Sequence, residues 1–148
     1  MKHKSFLETQ CPIARGLERV GEWWSMLIIR EAFYGAKRFD EFQQGLGEIA
    51  PNTLTRRLKE LVENGIFERR LYSTRPERYE YILTERGRDF LPVLWTMLEW
   101  GNKHFCPEGD LVHLKNVKTG KKAKPFLADQ VTGQEMLAAE YQFVAKFR

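Results

Sequence analysis

The residues with the widest chemical reach are Asn52, Thr53, Arg56 and Lys59: an amide, a hydroxyl and two cations close together in the chain. They lack a nucleophile with its base, and they make no metal set. Their chemistry is hydrogen bonding to phosphate oxygens and to the edges of bases. That requires them to share one side of an element. In Pro51–Gly65, PNTLTRRLKELVENG, a rotation of about 100° per residue puts Asn52, Arg56, Lys59 and Glu63 roughly opposite Leu54, Leu58, Leu61 and Val62. Thr53 and Glu60 flank the polar side. Pro51 suits a first helical position, where a missing N–H costs nothing, and Gly65 suits the residue past the end. A solvated surface helix has the same pattern, and for this stretch alone it is the more economical account. The flanking sequence reverses that preference.

Other candidates for chemistry are weaker. Cys11 and Cys106 each precede a proline, and two cysteines so separated suggest neither a zinc site nor a disulfide framework. His3, His104 and His113 have no metal-ligand spacing. Asp40, Glu41, Glu60 and Glu63 read as solvated helix charges. With no nucleophile elbow or phosphate loop, neither an enzyme, a metal nor a cofactor is expected. The 148 residues suffice for one domain with a core and a small appendage. A net charge of +4 tolerates a polyanionic partner without demonstrating one. The polar start, MKHKSFLETQ, is no signal peptide, and no run approaches the ~20 apolar residues of a membrane span, so a soluble, cytoplasmic protein is expected.

The elements that must position the central helix follow from periodicity. Pro12 opens a helix striped by Ile13, Ala14, Leu17 and Val20, interrupted at Gly21. Glu22–Phe33 is apolar nearly all round, which marks a helix buried on most sides. Lys37 and Arg38 precede a short helix, Phe39–Leu46, with Phe39, Phe42 and Leu46 inward and Gly45 and Gly47 marking its end. Its short connection to the central helix matches a helix-turn-helix. The period then changes. Ile66–Tyr72 and Arg78–Leu83 read as strands joined by the turn Ser73–Glu77, a hairpin with Arg69, Arg70, Arg75 and Arg78 around its tip. Thr84 caps an expected long helix, Glu85 to about Phe105, kinked at Pro92. Its apolar stripe exceeds what the chain's own core needs, so part of it is expected to meet a second subunit. Beyond Pro107 come short strand candidates at Leu111–Leu114 and Pro125–Ala128. Two Thr-Gly turns and a basic tract at Lys115, Lys118, Lys121, Lys122 and Lys124 accompany them. The last piece, Gln134–Phe147, reads equally as a strand or a helix.

This order of elements is that of a winged helix-turn-helix. Residues 11–101 resemble the HxlR family of bacterial transcription regulators, within the MarR-like superfamily. The likeness rests on Cys11-Pro12-Ile13, Gly21-Glu22-Trp23-Trp24 with Leu27 to Arg30, and Arg38-Phe39-Asp40-Glu41-Phe42. It continues through Ile49-Ala50-Pro51, Leu54-Thr55-Arg56-Arg57-Leu58-Lys59-Glu60-Leu61, Asn64-Gly65-Ile66, Tyr79-Glu80-Tyr81 and Leu91-Pro92-Val93-Leu94.

The resemblance implies a mostly α fold with a small β-hairpin (α+β), divided into a DNA-binding and dimerisation domain, 1–106, and an appendage, 107–148. It implies a homodimer, repressor or activator, whose first and last helices pair. The central helix enters the major groove of operator DNA and the wing touches flanking backbone. The residues expected at DNA are Lys37, Arg38, Asn52, Thr53, Thr55, Arg56, Lys59, Arg75 and Arg78. Cys11 matches an N-terminal cysteine that senses oxidants or electrophiles in some members; a small apolar contact is the plainer alternative. A small-molecule or electrophile effector is compatible with this scheme, with the aromatic helix of Trp23 and Trp24 as one wall of a pocket. Family members commonly have serine before the helix-opening proline; here Ala50 cannot cap through its side chain. The alternative is a winged helix used for protein–protein contact without DNA readout, because fold does not fix function.

Overall fold

The computed structural model describes residues 5–146, so His3 and Phe147 of the sequence reading lie outside the described residues. The chain divides into two compact units between Leu91 and Pro92. The first holds α1 (Pro12–Val20), α2 (Trp23–Phe33), α3 (Phe39–Leu46) and α4 (Pro51–Glu63), then strands β1 (Phe67–Thr74) and β2 (Glu77–Leu83) and the single turn α5 (Glu85–Arg88). The second is built from α6 (Leu91–Phe105), the two-residue strands β3 (Leu114–Lys115) and β4 (Lys122–Ala123), and a 3-10 turn at Ala138–Glu140.

The core of the first unit is where periodicity put it. Ile28 and Ile29 of α2, Phe42 of α3, and Leu54, Leu58 and Leu61 of α4 are fully buried, with Ile49, Ile66 and Phe67 joining them. Each such side chain contributes roughly 1.5–3 kcal/mol when removed from water. Phe42, Phe67 and Tyr81 meet edge to face, with ring centroids 5.9–6.5 Å apart, and fasten the hairpin to α3. The segment before α3 adds to that fastening, since Tyr81 N–H donates to Lys37 C=O at 2.7 Å and Arg38 bridges to Glu80.

Two expectations are refined and two corrected. First, α2 is buried or half-buried along its length except at Trp23, in its first turn, which is 74% exposed. Second, Gly45 lies in the last turn of α3, as expected, and has a further role. A methyl group there would collide with Oε2 of the buried Glu31, so the bare backbone admits that carboxylate. Third, the long helix is divided. Thr84 caps α5 as expected, accepting from Gly87 N–H at 3.1 Å, but the helix stops at Arg88 and a new one starts at Leu91. Pro92 has no N–H to continue the ladder, and a first turn asks for none, so a break is cheaper than a kink. Fourth, the strands of the wing run further than expected, leaving Arg75-Pro76 as the turn. A register shift between Leu71 and Ser73 sets Ser73 opposite Arg78 and Thr74 opposite Glu77.

In the second unit β3 and β4 flank the first Thr-Gly turn and share only Leu114 with the expected apolar segments, and among the described residues the terminal piece yields the 3-10 turn and a single bridge from Glu135 to Ala128. Side-chain oxygens organise both turns. Asn116 Oδ1 accepts from Lys118 and Thr119 N–H, and Asp129 Oδ1 accepts from Val131 N–H. No residue of α6 is buried, and Trp100 and Phe105 are more than half exposed.

Candidate nucleic-acid interface

The polar side of α4 stands in solvent. Asn52, Thr55, Arg56, Lys59 and Glu63 are exposed and Thr53 is half-buried. Ala50 is the N-cap and its side chain caps nothing; Pro51 follows without an N–H. The amides of Asn52 and Thr53 therefore lack a side-chain acceptor at the positive end of the helix, where an anion is favoured. Thr55 Oγ1 donates to Pro51 C=O at 3.0 Å, which leaves its lone pairs to accept. Among the described residues the side chains of Asn52, Arg56 and Lys59 make no hydrogen bond or ion pair.

Arg57 is turned the other way. Its side chain, 14% exposed, reaches Glu60 Oε2 at 2.7 Å and Glu22 Oε2 at 3.2 Å through the guanidinium, so it ties α4 to the start of α2. Sequence reasoning missed this clamp. A 560 Å³ cavity beside it is lined by Leu17, Glu22, Ser25, Arg57 and Glu60, so the helix of Trp23 and Trp24 contributes its serine rather than its tryptophans.

Lys37 and Arg38 are held at the entrance to α3. Glu41 accepts from both backbone N–H groups, at 2.7 and 3.0 Å, and these bonds hold its carboxyl below the ordinary value. The Arg38 guanidinium lies 4.2 Å from the Tyr72 ring centroid, so it is stacked on the wing rather than swinging freely. The arginines of the wing separate into two kinds. Arg69 stacks on Tyr79 at 4.0 Å, and Arg70 pairs with Glu68 at 3.1 Å, which lowers the Glu68 pKa and raises that of Arg70. Arg75 and Arg78, at and beside the turn, are exposed and have no side-chain partner among the described residues.

The expected site residues thus fall into two clusters. Asn52, Thr53, Thr55, Arg56 and Lys59 share one face of α4, and Arg75 and Arg78 share the wing tip. Lys37 and Arg38 join the wing through backbone bonds and Tyr72. A helix about 10–12 Å across fits a major groove about 12 Å wide, and cationic tips beside it suit phosphate. Cys11 stands apart from these clusters in its role: it is the half-buried N-cap of α1 and a free thiol.

Comparison with known proteins gives four likenesses. The family described as HxlR-like helix-turn-helix matches residues 19–109. An uncharacterized HTH-type transcriptional regulator of Mycobacterium tuberculosis is 43% identical over 127 residues, 85% of this chain and 80% of its own. The crystal structure of a candidate transcription factor, 34% identical, superposes with a TM-score of 0.84 over 97% of this chain and 99% of that one. The redox regulator HypR in its oxidized form, 36% identical, gives 0.59 over 64% of this chain and 97% of that one.

Proposed function

The chain belongs to the HxlR-like helix-turn-helix family of transcription regulators, which are not enzymes, and from that premise we propose that it is a cytoplasmic homodimer that represses or activates by binding an operator. In this reading α4 lies in the major groove with Asn52, Arg56 and Lys59 toward base edges and phosphates. Arg75 and Arg78 touch flanking backbone, while Lys37, Arg38, Thr53 and Thr55 border the contact. The observation that carries it is the division of α4: three leucines fully buried on one side, and on the other a cationic, hydrogen-bonding face whose Asn52, Arg56 and Lys59 have no side-chain partner among the described residues. A protein–protein module would be expected to present an apolar or acidic face there.

Two copies are needed to read two half-sites, and the exposed Ile13 and Leu17 of α1 and the unburied α6 suit the pairing helices of the resemblance. No helix among the described residues is long and apolar enough to cross a membrane. Cys11 is proposed as a thiol whose oxidation or alkylation alters operator occupancy, supported by the redox function named for HypR.

The test is retention of the full chain on duplex DNA at low salt, followed by mapping of the bound genomic fragments. Discrete sites with two-fold symmetry are expected, and affinity should fall steeply with salt as counterions are released. Absence of retention on any duplex would favour the protein–protein reading.

A further inference from the structure

The β3–β4 hairpin carries a charge pattern that its own fold does not require. Lys115, Lys118, Lys121, Lys122 and Lys124 fall within ten residues, and no Asp or Glu occurs from 111 to 128. All five are exposed. Lys122 pairs with Asp110 at 2.5 Å. Lys115, Lys118 and Lys121 have no ion-pair partner among the described residues. Moreover, Lys115 stands directly opposite Lys122 in a ladder of only two residue pairs. Like charges facing each other across strands destabilise them.

The second turn of the same unit serves as an internal control. In the first, Gly120 N–H donates to Asn116 C=O, Asn116 N–H to Lys121 C=O, and Lys121 N–H to Thr119 Oγ1. In the second, Gly133 N–H donates to Asp129 C=O, Asp129 N–H to Gln134 C=O, and Gln134 N–H to Thr132 Oγ1. Where the first turn has Lys118 and Lys121, the second has Val131 and Gln134. The same backbone therefore closes without a lysine. A local electrostatic cost that Asp110 offsets only at Lys122 points outward, to a ligand that neutralises the rest.

We propose that the β3–β4 hairpin is a second DNA-backbone contact, placing Lys115, Lys118 and Lys121 against phosphates. This rests on the operator-binding reading above and extends it, because the hairpin lies beyond residue 109, where the family match ends. Ammonium groups on phosphates position a protein without reading sequence. Because side-chain and backbone hydrogen bonds already order the turn, mainly lysine side-chain freedom is given up on binding.

The test uses the full chain carrying Lys115→Gln, Lys118→Gln and Lys121→Gln together, with the matching triple Lys→Arg chain beside it. The probes are a random-sequence duplex and the genomic fragments that the native chain retains. The Gln chain should bind both about tenfold or more weakly at fixed salt, by a similar factor. Its plot of log affinity against log salt should be shallower by about 0.9 for each phosphate that the missing lysines no longer neutralise. The Arg chain should behave like the native one. If the Gln chain melts early, Lys118→Gln with Lys121→Gln, at the two turn positions that lack lysine in the second turn, repeats the comparison. Native affinity and slope in the Gln chain, with the native chain binding well, would overturn this inference and leave operator binding by α4 intact. A native chain that held neither duplex would remove both readings together.

Discussion

Neighbouring arginines on α4 have opposite jobs. Arg56 has no partner among the described residues and faces solvent, whereas Arg57 is largely buried between Glu22 and Glu60. Arg56→Ala should therefore leave melting nearly unchanged and weaken operator binding by about 1–3 kcal/mol, with relaxed preference at one base pair. A uniform loss on all sequences would instead make it a phosphate contact. Arg57→Ala should lower folding stability by about 1–2 kcal/mol, because the clamp between α4 and α2 is gone. Urea melts and binding to permuted duplexes separate the two outcomes. At Cys11, mild oxidation or an electrophile should change operator occupancy in the native chain and not in Cys11→Ser. Equal responses in both would leave the thiol as a small packing group at the α1 N-cap.

At the scale of elements, the entrance to α3 and the wing act as one piece. Glu41 caps α3 through the N–H groups of Lys37 and Arg38, Lys37 C=O receives Tyr81 N–H, and Arg38 stacks on Tyr72. The Glu41 carboxyl is held below its ordinary value of 4.5, chiefly by those two backbone bonds. A depressed carboxyl contributes stability that is present above its unfolded value and is lost as pH falls through the folded one. Acid should therefore loosen the start of α3 and the attached wing below about pH 4.5, and Glu41→Gln should remove part of that pH dependence. Backbone amide chemical shifts of Lys37 and Arg38, followed from pH 6 to about 3, give the check.

For the molecule as a whole, the feature that a single chain does not satisfy is its apolar surface. Val93, Met97, Trp100 and Phe105 of α6, with Ile13 and Leu17 of α1, are all more than two-fifths exposed. Soluble monomers rarely leave an apolar helix face such as that of α6 open, and a standard interface covers about 800 Å² on each partner. Trp100→Asp should shift the chain toward monomers in sedimentation. It should also cost much more affinity on a two-half-site duplex than on a single half-site, since the second half-site binds at an effective concentration set by the dimer. Unchanged sedimentation would move the pairing surface away from α6.

By itself the sequence determined the order of helices, the hairpin after Gly65, the leucine side of α4 and the family. Those signals are local: periodicity and turn residues act within a few positions and survive any packing. Tertiary structure alone decided which cations are free. Glu22 and Arg57, or Arg38 and Tyr72, meet only because the chain folds back, and periodicity tells which side a residue takes but not what stands opposite. The same reason explains Gly45, whose purpose is set by Glu31 on another helix. It also explains why the appendage departs from its hydrophobic pattern. There side-chain caps on two turns, not apolar strands, supply the order, and hydrophobic pattern is blind to them.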